Sequence, residues 1–167
     1  GATRSNVAAY VLYIVLLAAC TALQHTWPGW LLVCGRAPDL VLAAVVCIAL
    51  SGGPLLGCYA GLCGGLLLGS TEAAWLGGYF VGYMSAGTAV GLVRGRLFAD
   101  RVVVAVVIVL CAVPVVDLIR LIFAPPASPG AWFVQTLVGG PYSALLAVPV
   151  YLVVRVMTER FVGPAQA

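Results

Sequence analysis

The sequence predicts an all-α fold, a polytopic membrane helix bundle, and three observations predict it. Hydrophobic residues fill 63% of 167 positions and charged residues only 8%, far too apolar for a domain surrounded by water. Polar or Gly/Pro breaks divide the chain into six apolar runs. Within one of them Gly53, Gly57, Gly61, Gly65 and Gly69 recur at every fourth position with no charged residue between them. Such a stripe lets a neighbouring backbone approach closely, which is how helices associate in lipid. At 3.6 residues per turn it drifts about 40° per glycine, so a helix following it must cross at an angle.

The expected spans are Val7–Leu23, Asp39–Leu50, Pro54–Gly69, Ala73–Val93, Val102–Phe123 and Ala131–Met157. The first, fourth, fifth and sixth approach the ~20 residues needed to cross hydrocarbon. The second and third are shorter and are joined by Ser51-Gly52-Gly53-Pro54, a tight-turn signal. Residues 1–167 read as a single transmembrane domain, with Gly1 to Ser5 a remnant attached ahead of it. Leu17-Ala18-Ala19-Cys20 resembles a lipoprotein cleavage box, but the first run is read as an uncleaved helix.

Charge sets the sidedness. Arg94, Arg96 and Arg101 cluster in one connection, and Arg155 and Arg160 end the last run, in agreement with Arg4. Arg36, Asp39 and Glu72 lie on the opposite side, where the connection 124–130 is uncharged. The positive-inside rule then makes both termini cytoplasmic. A re-entrant hairpin of runs two and three would leave every other loop on its side, so the arginines fit four or six crossings; the long apolar runs favour six. Trp27, Trp30, Trp75 and Trp132 near the outward ends read as interfacial anchors.

Candidate chemistry is sparse. His25 is the single histidine and there is no lysine, which excludes a phosphate-binding loop with its Lys and leaves at most one His ligand for a metal. Six cysteines form no CxxC pair and read as small apolar filler. No catalytic residue, cofactor or metal site is expected, and the arginines sort by membrane side rather than toward nucleic acid. Asp117 and Arg120, three apart in the outer half of the fifth run, share a helical face. They either neutralise one another, with Arg120 snorkelling outward, or contact a partner or polar ligand; Asp39 is a further candidate contact. Pro114, Pro141 and Pro149 are expected to kink or break their helices. Gly78 and Gly82, with Ala86, form a second small-residue row, which together with the main stripe predicts two intimately packed helices.

Three stretches carry a family resemblance. Pro38-Asp39-Leu40 opens the second run; Gly53-Pro54-Leu55-Leu56-Gly57, continuing through Gly61 to Leu66-Leu67-Leu68 and then Gly82-Tyr83, forms a glycine-rich centre; Tyr142-Ser143-Ala144-Leu145-Leu146-Ala147-Val148-Pro149 closes the chain. Together with the order and length of the runs they resemble the MreD family, the small membrane subunit of the bacterial rod-shape machinery. Gly69 stands where members often carry Asp, and Ser143 where Asn is frequent, so no role of that acid carries over.

The resemblance implies a non-enzymatic scaffold of the cell-wall elongation complex in the bacterial cytoplasmic (inner) membrane. Such a scaffold binds MreC and helps position the RodA glycosyltransferase and a class B penicillin-binding protein over MreB filaments. It also implies a fold similar to the substrate-binding S subunits of energy-coupling-factor vitamin transporters. That similarity supplies the alternative, a solute-binding subunit, with Ala18 and Ala22 as a docking spacing. Few polar groups, chiefly Asp117, Arg120 and Gln135, are then available for a ligand.

Overall fold

A computed structural model of the chain describes residues 2–71, 76–96 and 102–161. Glu72, Trp75 and Arg101 lie outside the described residues, as does the side chain of Arg4. Five α-helical elements follow one another: α1 Ala2–His25, α2 Leu40–Thr71, α3 Leu76–Val93, α4 Val102–Phe123 and α5 Pro129–Phe161. Each contains a stretch long and apolar enough to cross a membrane, the signature of a multi-pass membrane protein. Large apolar side chains such as Val11, Ile14, Val103, Val107, Leu118 and Ile122 point outward rather than into the core.

The second and third expected runs form one element, α2, interrupted at Gly53. There φ is 85° and ψ −170°, a region only glycine enters without steric conflict. Pro54 follows, and proline both bars the preceding residue from helical geometry and suits the first turn of a new helix. Gly53 therefore turns the chain and does not sit on the helix that carries the other four stripe glycines. The two halves of α2 fold back on one another. A Cβ added at Gly57 would meet Ala49 Cβ at 2.7 Å, and one at Gly64 would meet Val41 Cγ1 at 2.9 Å and Val45 Cγ2 at 3.2 Å. His25 Nε2 lies 2.9 Å from Thr71 Oγ1, tying the end of the second half to the end of α1.

The first half, Leu40–Leu50, is enclosed on all sides, with no residue more than 4% exposed. Its sequence is apolar around the whole circumference, as a helix wrapped by other helices requires. It packs against its own second half and, through Val45, against Gly87 of α3, while α2 as a whole also contacts α1, α4 and α5.

The second half zips along α3. Gly57 meets the Gly87 backbone and Gly61 the Tyr83 carbonyl; a Cβ at Gly65 would stand 2.9 Å from Phe80 Cα, and one at Gly69 3.1 Å from Leu76 Cα. Gly91 abuts Pro54 at the far end. The stripe is thus spent inside the chain, backbone against backbone. Gly78 and Gly82 turn the other way, toward α4, with Cβ positions 3.5 Å from Arg120 Cα and 3.1 Å from Val116 Cγ1.

α4 and α5 depart from the expectation of a break. Both run as unbroken helices through Pro114, Pro141 and Pro149.

Candidate functional site

The polar residues of the bundle gather at the end where α1 finishes and α2 begins. Their placement starts in the connection between those helices. Val33 and Arg36 exchange backbone hydrogen bonds of 3.2 and 3.1 Å, closing a two-residue turn. Cys34 (φ 53°) and Gly35 (φ 77°) both occupy the left-handed region, the conformation of a type I′ turn. Glycine takes it freely; for Cys34 it costs about 1–2 kcal/mol. Tyr142 pins the same connection: its hydroxyl donates to the Leu31 carbonyl at 2.9 Å and accepts from the Trp27 indole at 3.2 Å.

The turn delivers Arg36 into the bundle. Its side chain lies over Gly139, where a Cβ would stand 3.1 Å from Nε, so glycine on α5 makes the groove for it. Both terminal nitrogens then donate to Asp117, at 2.5 Å to Oδ2 and 2.8 Å to Oδ1. This is the bidentate fork geometry, the strongest a guanidinium and carboxylate form. Thr136 Oγ1 donates to Asp117 Oδ2 at 3.0 Å and Arg120 Nη1 to Oδ1 at 3.3 Å. Four donors saturate a carboxylate. Asp117 is therefore paired chiefly with Arg36 across the bundle, and its neighbour Arg120 holds the longer, weaker contact.

Arg120 is left over. Nη2 donates to Tyr79 OH at 2.8 Å, and the guanidinium carbon lies 4.2 Å from the centre of the Tyr79 ring. Its Nε is buried and has no hydrogen-bond partner among the described residues.

Asp39 caps α2. Its Oδ1 accepts from the Leu42 N–H at 3.0 Å, the side-chain-to-N3 bond of an N-cap. Tyr83 OH reaches both carboxylate oxygens, at 2.6 and 2.5 Å, and the Asp39 N–H donates to Ser143 Oγ at 2.8 Å. Asp39, Tyr83 and Ser143 are all buried. Asp39 thus faces the interior rather than a partner's surface.

A cavity of about 320 Å³ opens among these groups, lined by Arg36, Asp39, Asp117 and Arg120 with Tyr79 and Trp132. Gln24 and Gln135 lie at its wall. It brings Asp39, Asp117 and Arg120, the three residues singled out in the sequence as possible partner contacts, onto one internal surface. The glycines of the stripe lie elsewhere, along α3. Among the described residues no group of three or more His, Cys, Asp or Glu side chains is placed to hold a metal ion.

Arg36, Tyr83, Thr136 and Ser143 were not legible as site residues. Arg36 reads as a loop charge, and its place between Gly35 and Ala37 gives no sign that it folds inward. Ser143 is marked only by its place in the closing stretch of the resemblance, and Thr136 gives no signal, being an ordinary small polar residue of a membrane helix. No family model matches the chain, and no curated protein or solved structure matches it.

Proposed function

We propose that this chain is a non-enzymatic membrane scaffold of the MreD type. In this reading it binds MreC and helps position RodA and its class B penicillin-binding partner, with MreB beneath. One observation supports it above others. The three stretches that carry the resemblance converge on a single buried node, where Asp39 of the first accepts from Tyr83 of the second and donates to Ser143 of the third. Residues far apart in the chain share a structural reason to occur together. The glycine zip, consumed internally, leaves the outer faces of α1 and α4 for neighbours. Isolation of the tagged protein from its native membrane in mild detergent tests the reading. MreC is expected among the co-migrating chains, and its absence from an intact preparation overturns the assignment.

The same reading takes six crossings with both termini in the cytoplasm, counting α2 as two passes joined at Gly53. Leu40–Leu50 rises only about 16 Å, with the buried Pro38 and Asp39 preceding it. Thiol labelling with a membrane-impermeant maleimide checks it. The exposed Cys34 is expected to react in intact cells, and Ser51→Cys in a Cys34→Ser background only after permeabilisation. Labelling of both from one side contradicts six crossings.

A second reading, a solute-binding subunit similar to those of energy-coupling-factor transporters, is favoured by the charged cavity. Ala18 and Ala22 are both exposed on α1, as a docking face would need.

A further inference from the structure

The cavity lining is unevenly satisfied. Asp117 has its four acceptor positions filled, two of them by Arg36. The oxygens of Asp39 are engaged by Tyr83 and the Leu42 N–H rather than by a guanidinium. Among the described residues Arg120 therefore has the 3.3 Å share of a saturated carboxylate, the Tyr79 contacts, and a buried Nε–H with no acceptor. A buried donor left without an acceptor is destabilising, and a guanidinium offers five donors in a plane. What this surface lacks is an acceptor carrying negative charge.

The surroundings limit the rest of the molecule that would supply it. At about 320 Å³ the space lies at the small end of the range for ligand pockets, too small for a partner helix. Trp132, Leu121 and Pro126 add apolar surface to the charged lining. Cation and ring are already stacked at Tyr79, so a flat body can continue that stack.

We propose that this cavity binds a small organic anion of aromatic-carboxylate size, its carboxylate held by Arg120 and its body against Trp132. The proposal rests on the solute-binding reading of the cavity, and is indifferent to whether the ligand is cargo or regulates a scaffold. The shared chemistry is an anionic group, which a free solute or an anionic lipid headgroup can supply.

Three near-isosteric probes decide it: benzoate, benzamide and benzamidine, carrying negative, zero and positive charge. They are titrated against the purified full chain in phosphatidylcholine nanodiscs, with thermal stabilisation as the readout. Benzoate is expected to stabilise saturably, with the neutral and cationic probes at least tenfold weaker. Arg120→Gln is expected to weaken benzoate at least tenfold. Trp132→Ala, which leaves the charged network intact, is expected to weaken it severalfold, so the test survives if the arginine variant does not fold. Repeating the titration with phosphatidylglycerol included identifies the source. Competition assigns the anion to a headgroup, and unchanged affinity to a free solute. Tighter binding of benzamide or benzamidine overturns the anion assignment while keeping the cavity as a ligand site. No saturable effect from any of the three overturns both.

Discussion

Leucine at Gly61 is expected to abolish the folded bundle. A Cβ there falls onto the Tyr83 carbonyl oxygen and within 2.8 Å of Met84 Cα. Both are backbone atoms, and no rotamer change relieves them. Overpacking a core typically costs 1–3 kcal/mol. Here the helices must separate along their length, because Gly57, Gly65 and Gly69 rely on the same close approach. The loss should exceed about 3 kcal/mol. Fluorescence-detected size exclusion and a thermal melt in detergent would register it as aggregation or a collapsed transition. Gly130→Leu is the control, since nothing lies within 4 Å of a Cβ there. A Gly61→Leu protein that melts like wild type shows the zip to be dispensable. Because the contact is internal, the variant should lose its fold before any loss of partner is seen.

Asp117→Ala carries the second large effect. It strands Arg36 and Arg120 with no carboxylate between them and removes the acceptor of Thr136. Removing one member of a buried ion pair costs about 3–5 kcal/mol, mostly the penalty of the unpaired charge left behind. The side chain of Asp117 is 4% exposed and that of Arg36 18%, so solvent relieves only part of it. Arg36→Met placed on top of Asp117→Ala should recover some of the stability, because it removes one stranded cation. The coupling read from that double-mutant cycle separates the pair from the packing around it. A destabilisation below about 1 kcal/mol would show that water reaches the pair freely. Lost co-purification of a partner at unchanged stability would instead place Asp117 at an interface.

Much of the fold could be read from composition and spacing, because lipid leaves only helices and closed barrels to satisfy the backbone, and long unbroken apolar runs select helices. The apolar runs mark the helices to within a few residues, and Gly53-Pro54 marks the turn. What spacing leaves open is direction. A glycine stripe fits a neighbour within the chain or in another molecule equally well, and only the positions of Tyr83, Phe80 and Leu76 opposite it choose between them. The prolines of α4 and α5 do not break their helices, whereas Pro54 begins a new one after Gly53. The charged site was half legible. Asp117 and Arg120 stand out as ions in an apolar run, but the i,i+3 relation drew attention to the weaker contact. The stronger one joins residues 81 apart in sequence, through a turn whose left-handed Cys34 no propensity would suggest.

The enclosure of Leu40–Leu50 bears on how the molecule is made. Its wrapping comes partly from α1, already synthesised, and otherwise from chain that follows it, down to Ser143 on the last helix. During synthesis this segment leaves the ribosome before most of its eventual surroundings exist. Its enclosure is complete only once the later helices have inserted, and a chain truncated ahead of α5 leaves the most deeply buried stretch of the protein without part of its cover.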